Sequence, residues 1–128
     1  MSFELYREAA NLGNACGILN LGICFQYGIG TDIDKKKAFE LYQKAADLGN
    51  AIGILNLGNC YQNGIGTDIN KKKAFKLYKK AAKLGNASGI NSLNKIIQQG
   101  SLTFVYENGR RIVRNFNDTI YWYKNSFE

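Results

Sequence analysis

Phe39-Glu40-Leu41-Tyr42 returns Phe3-Glu4-Leu5-Tyr6 after 36 residues, and the same block comes back once more as Phe75-Lys76-Leu77-Tyr78. The register extends outward from these blocks. Ala9-Ala10, Ala45-Ala46 and Ala81-Ala82 align, then Leu12-Gly13-Asn14, Leu48-Gly49-Asn50 and Leu84-Gly85-Asn86. Repeats 1 and 2 also share Asn20-Leu21-Gly22 with Asn56-Leu57-Gly58, and Gly28-Ile29-Gly30-Thr31-Asp32-Ile33 with Gly64-Ile65-Gly66-Thr67-Asp68-Ile69. A unit of this length is one helical hairpin, which buries its apolar face only by stacking on copies of itself. The product is an extended surface suited to binding rather than an enclosed pocket.

Within a unit, Ala38, Phe39, Leu41, Tyr42, Ala45, Ala46 and Leu48 recur at spacings of three and four, which predicts an amphipathic helix A. Gly49 can end it in the left-handed conformation and Asn50 can cap the next helix. Helix B then carries Ile52, Ile54, Leu55, Leu57, Cys60 and Tyr61. Gly53 and Gly58 each weaken a helix relative to alanine, so they are expected where two helices approach too closely for a side chain. Gly64 ends helix B, and Asp34, Asn70 and Asn115 are expected to cap the helices A that follow.

These signals predict an all-α fold, an α/α superhelical solenoid of helix-turn-helix repeats. The whole chain, 1–128, reads as one domain: repeat 1 over 3–38, repeat 2 over 39–74, repeat 3 over 75–118 and a partial repeat 4 over 119–128. The third repeat is irregular. Ile120-Tyr121-Trp122-Tyr123-Lys124 fits the slot of Phe75-Lys76-Leu77-Tyr78-Lys79 at an offset of 45 residues, nine too many. The insertion is placed near 92–100, breaking or bulging around Gly100, because two and a half extra turns would swing the apolar face of helix B to the wrong side. Leu102 to Tyr106 and Arg111 to Arg114 flank Asn108-Gly109, so a β-hairpin competes with the helical reading, which the downstream match favours. The first helix A begins at Phe3 and aromatic residues lie near Glu128, so the chain reads as a piece of a longer solenoid or as one that covers its ends by self-association.

The quoted blocks, Ala38-Phe39-Glu40-Leu41-Tyr42-Gln43-Lys44-Ala45-Ala46-Asp47-Leu48-Gly49-Asn50 followed by Leu57-Gly58-Asn59-Cys60-Tyr61-Gln62-Asn63-Gly64-Ile65-Gly66-Thr67-Asp68, closely resemble the Sel-one-like repeat family, relatives of the tetratricopeptide repeats. The resemblance covers 3–91 well and 101–126 loosely. It implies a right-handed superhelix with helices A on the concave side, and an adaptor role in multiprotein assemblies such as endoplasmic-reticulum quality control, kinase-linked signalling or bacterial regulation. Cysteine-rich secreted members bridge the two helices of a repeat at positions that here hold Ala10 and Ile18, Ala46 and Ile54, and Ala82 and Ile90.

No such bridge can form here. Cys16 and Cys24 lie eight residues apart on one helix, about 12 Å of rise, beyond the reach of a disulfide. Unpaired thiols suit a reducing compartment, and Glu4, Arg7 and Glu8 interrupt the apolar run a signal peptide would need, so a cytoplasmic location is expected. If the chain is a fragment, a secreted or luminal parent stays open. No stretch is long enough to span a membrane. Asn86-Ala87-Ser88 and Asn117-Asp118-Thr119 match the glycosylation pattern but read as helix caps.

Histidine is absent, which removes the commonest general base and metal ligand. The cysteines lack ligand spacing, and the Gly28-Ile29-Gly30 and Gly64-Ile65-Gly66 turns follow helices without the rest of a phosphate-loop motif. We therefore expect no enzyme, cofactor or metal site, but a scaffold presenting a groove to a peptide or protein partner.

Charge bears on what that partner is. Residues 1–34 carry a net −3, 35–70 a net +1 and 71–128 a net +9. On equivalent outward positions of helix A the residues run Glu4, Glu40, Lys76; Arg7, Gln43, Lys79; Glu8, Lys44, Lys80; Asn11, Asp47, Lys83. With Lys73 these give the third helix A a lysine face, open to an acidic partner or, as the alternative function, to anionic polymers or a membrane surface. The plainer reading is that lysines solubilise an exposed helix. No exposed aromatics interleave them, which argues against nucleic acid. Asn20 and Asn56 are the other candidates: an amide on the groove can hold a peptide backbone, or it can bond a neighbouring loop.

Overall fold

The computed structural model describes residues 3–99, 103–107 and 110–114. Six helices run in order, α1 (Phe3–Asn11), α2 (Ala15–Tyr27), α3 (Lys35–Asp47), α4 (Ala51–Asn63), α5 (Lys71–Lys83) and α6 (Ala87–Gln99), followed by strands β1 (Thr103–Glu107) and β2 (Arg110–Arg114). Odd-numbered helices are the expected helices A and even-numbered ones the helices B. Contacts divide the chain into two units, 1–90 and 91–128.

In the first unit each helix packs chiefly on its neighbours in sequence, as a stack of hairpins must. Asparagine caps set the corners: the Oδ1 atoms of Asn14, Asn50 and Asn86 accept from the backbone N–H of Gly17, Gly53 and Gly89 at 2.9, 2.8 and 2.7 Å. Asp34 and Asn70 cap α3 and α5 in the same way, through Lys37 and Lys73. Gly49 stands at φ 82° and Gly64 at φ 72°, the left-handed turns expected of them.

Close helix contacts explain the glycines inside helix B. A Cβ on Gly53 would lie 2.7 Å from Ala45 Cβ, and one on Gly58 would lie 2.9 Å from the Tyr78 ring. The Tyr78 ring fills the space left at Gly58, as the Tyr42 ring fills that at Gly22, and both are almost wholly buried, with Ile54, Cys24 and Cys60 filling the core beside them. Their hydroxyls keep acceptors: Tyr42 donates to Gln26 Oε1 (2.5 Å) and Tyr78 to Asn59 Oδ1 (2.6 Å). Tyr78 of repeat 3 thus finds its acceptor in a residue of repeat 2 whose counterpart in repeat 1 is Ile23, and Gln62, the counterpart of Gln26, has its Oε1 buried with no partner among the described residues.

Three expectations change. Leu48 does not join the apolar stripe: α3 ends at Asp47, and Leu48, in the turn before Gly49, is 57% exposed. The insertion does not fall at 92–100, because α6 has the bounds of α4 moved by 36 residues and stays regular to Gln99. Departure from the period begins beyond it, where the hairpin rather than the helical reading holds: β1 and β2 pair antiparallel, Thr103 opposite Arg114 and Glu107 opposite Arg110. Alternation of β-branched and aromatic residues around Asn108-Gly109 outweighs the distant register match. The Asn115 cap, the Asn117-Asp118-Thr119 pattern and partial repeat 4 lie outside the described residues.

Candidate protein-binding groove

The repeat places α1 and α3 side by side over α2. Between them lies a groove of about 470 Å³, lined by Phe3, Arg7, Ala10 and Asn11 of α1, Ile18, Leu21 and Phe25 of α2, and Lys37, Leu41 and Lys44 of α3. Its floor is apolar. Ile18, Leu21 and Leu41 are buried, and Phe3 meets Phe25 edge to face with ring centroids 5.5 Å apart. Its rim is cationic. Lys37 Nζ stands 5.1 Å over the Phe25 ring, Lys44 and Arg7 are exposed, and no carboxylate is among the lining residues. Glu4, beside the groove, reaches Arg7 at 3.8 Å in an exposed pair that constrains it little.

The same positions one repeat on are polar in a different way. Gln43 replaces Arg7 and donates through Nε2 to Asp47 Oδ1 (3.0 Å), where repeat 1 has Asn11. The aromatic floor persists: Phe39 meets Tyr61 at 5.5 Å, and Lys73 Nζ stands 5.2 Å over Tyr61.

Lys73 is therefore the counterpart of Lys37 in the first turn of its helix. Lys76, Lys79, Lys80 and Lys83 are brought together, lining one recess of about 220 Å³ on α5 with all four side chains exposed. Lys79 Nζ also stands 5.4 Å over the Phe75 ring. Asn20 and Asn56 are half-buried on α2 and α4, and their side chains make no hydrogen bond among the described residues. At about 100° per residue, Asn20 falls on the side of α2 away from Ile18, Leu21 and Phe25, so it does not line the groove. Phe3, Arg7, Phe25, Lys37, Leu41 and Lys44 do line it. Sequence reasoning ranked none of them as a site.

Little in this region suggests reaction chemistry. Burial holds the Cys24 thiol above its ordinary value and pushes that of Cys60 up to about 12, away from the reactive thiolate. All three cysteines are free, Cys16 alone being exposed. Among the described residues no group of acidic, histidine or cysteine side chains is disposed to hold a metal, and no helix is long and apolar enough to cross a membrane.

Comparisons with known proteins agree with this architecture. The family model of the Sel1 repeat matches residues 1–14, 17–50, 51–86 and 100–127. Among solved structures the chain is similar to c5321, a protective antigen present in uropathogenic Escherichia coli strains displaying an SLR fold, with a TM-score of 0.76 and 28% identity over 97% of this chain and 25% of that one. It is similar also to a Sel1 repeat protein from Oxalobacter formigenes (TM-score 0.68, 30% identity, 76% of this chain and 40% of that one). Helicobacter pylori cysteine rich protein B is a third (TM-score 0.66, 32% identity, 71% of this chain and 68% of that one). No curated protein matches. The chain spans a quarter of the length of the E. coli protein and two fifths of that from Oxalobacter. With the family model covering most of the sequence, and capped, glycine-notched helical hairpins repeating through the first unit, the chain belongs to the Sel1-repeat family, in general helical-repeat scaffolds for protein interaction rather than catalysts.

Proposed function

We propose that this chain is a protein-interaction scaffold that receives a segment of a partner protein in the groove between α1 and α3. One observation carries the reading: an open groove of about 470 Å³ with an apolar floor and a rim of Arg7, Lys37 and Lys44 that no lining carboxylate neutralises. An apolar side chain of the partner would fill the floor, and the rim would orient it, the arrangement of a buried centre and a charged edge found in protein interfaces. Three unpaired thiols, two of them buried, fit a reducing compartment such as the cytoplasm.

The test is affinity capture from native extract with the wild-type chain and with Arg7→Glu/Lys44→Glu, both exposed positions whose replacement leaves the core intact. A protein retained by the wild type at moderate salt and lost by the variant is the expected result. Equal retention by both would overturn the assignment to this groove. Docking onto anionic material is a second reading, favoured by the four lysines that share one recess on α5.

A further inference from the structure

The lysine recess has an internal reference. Helices α3 and α5 are each 13 residues long and differ at three positions only: Glu40 against Lys76, Gln43 against Lys79 and Asp47 against Lys83. Each difference is the gain of a lysine, and with Lys80 the three line the one recess. In α3 these positions support the helix. Gln43 bonds Asp47 at 3.0 Å, while Glu40 and Lys44 bear opposite charges four residues apart. In α5 the same spacings set Lys76 against Lys79 and Lys80, and Lys83 against Lys79 and Lys80. Every such pair repels, and no carboxylate among the described residues forms an ion pair with any of the four.

Solubility does not ask for this stripe, because α3 is exposed at Glu40, Lys44 and Asp47, half-buried at Gln43, and carries both signs of charge. The helix macrodipole accounts only for lysines in the last turn, Lys80 and Lys83, not for Lys76 and Lys79. What the stripe lacks is its counter-charge.

We infer that Lys76, Lys79, Lys80 and Lys83 form a docking site for an acidic segment of a protein partner, a short run of aspartates or glutamates in extended conformation. The inference rests on the scaffold reading for the kind of partner and adds where its charge is held. Seven residues of helix separate the first lysine from the last, about 10 Å at 1.5 Å per residue. An extended strand covers that distance in about three steps of 3.3 Å, so four consecutive acidic residues run the length of the stripe. The recess is lined by lysines alone, without the stacking platform that single-stranded nucleic acid uses.

The experiment titrates the ¹⁵N-labelled chain with a peptide carrying four consecutive glutamates, alongside Lys76→Glu/Lys79→Gln/Lys83→Asp. That variant gives α5 the residues α3 already carries, so its fold is secured by the molecule's own example. Expected are amide shifts confined to the turns around residues 76–83, and a loss of affinity of at least about tenfold in the variant. Shifts spread evenly over Lys35, Lys36, Lys37, Lys71 and Lys72 as well, or an affinity within about twofold in the variant, would overturn the proposal. So would tighter binding, through the same lysines, of an oligothymidine or of phosphatidylserine vesicles, which would assign the recess to nucleic acid or lipid. The probe is a defined peptide and the groove residues are untouched. Failure here therefore leaves the capture experiment with Arg7→Glu/Lys44→Glu to stand or fall separately.

Discussion

Burial changes the chemistry of single side chains in this core, and Cys60 shows the consequence most directly. Its thiol has no exposed surface, and desolvation raises its pKa from the ordinary 9.0 to about 12. The unfolded chain gives up this proton near pH 9 while the folded chain keeps it, so stability is whole below that value and declines as pH rises toward 12. Tyr78, raised from 10.0 to about 12 by burial and then by the neighbouring Cys60, adds to the decline above pH 10. Melting temperature followed by circular dichroism should hold from about pH 8 to pH 9 and then fall toward pH 11, and Cys60→Ala should flatten the slope. An unchanged slope in Cys60→Ala would remove Cys60 from the account. The sequence made the smallness and apolar character of this position legible, since Cys24 and Cys60 recur in phase. It did not reveal the tyrosine contacts, because Tyr42 and Tyr78 find different acceptors, Gln26 and Asn59, in otherwise equivalent hairpins.

Helices A and B meet through glycine, which is the element-scale reason the unit repeats so strictly. Gly53 sits on Ala45, where an added Cβ would be 2.7 Å from Ala45 Cβ and 3.1 Å from backbone atoms. Alanine is the better helix former by about 1 kcal/mol, yet overpacking of this kind costs about 1–3 kcal/mol. Gly53→Ala should therefore lower the urea midpoint, and a midpoint equal to or above the wild type would show that α3 and α4 have room to part. Caps, turns and glycine contacts were all legible, because each is a local demand that the chain meets the same way in successive units. Two features were not. Leu48 follows the helical spacing but lies past the point where the helix stops. Residues 102–114 carry a hairpin signal in sequence while the match at Ile120-Tyr121-Trp122-Tyr123-Lys124 argues for the helical register, and cross-strand pairing of β1 with β2 decided between them.

Across the first unit, sequence differences between repeats fall chiefly on the outward positions of helix A, the surface proposed above to meet partners. Arg7, Gln43 and Lys79, or Asn11, Asp47 and Lys83, vary on a scaffold whose buried residues hardly change, giving an apolar groove with a cationic rim and, on α5, an unneutralised lysine stripe. The charge gradient was legible from composition alone. The residues that line the groove were not, since they come from three helices; helical phase turns Asn20 of α2 away from it, and Asn56 lies on α4, which does not line it. Site-specific photo-crosslinking tests the central claim most directly: a photoreactive residue placed at 44, on the groove rim, or at 27, exposed on the far side of α2, is irradiated in native extract. The account expects a discrete protein adduct from position 44 and none from position 27. An adduct from position 27 alone, or equal labelling from both, would contradict it.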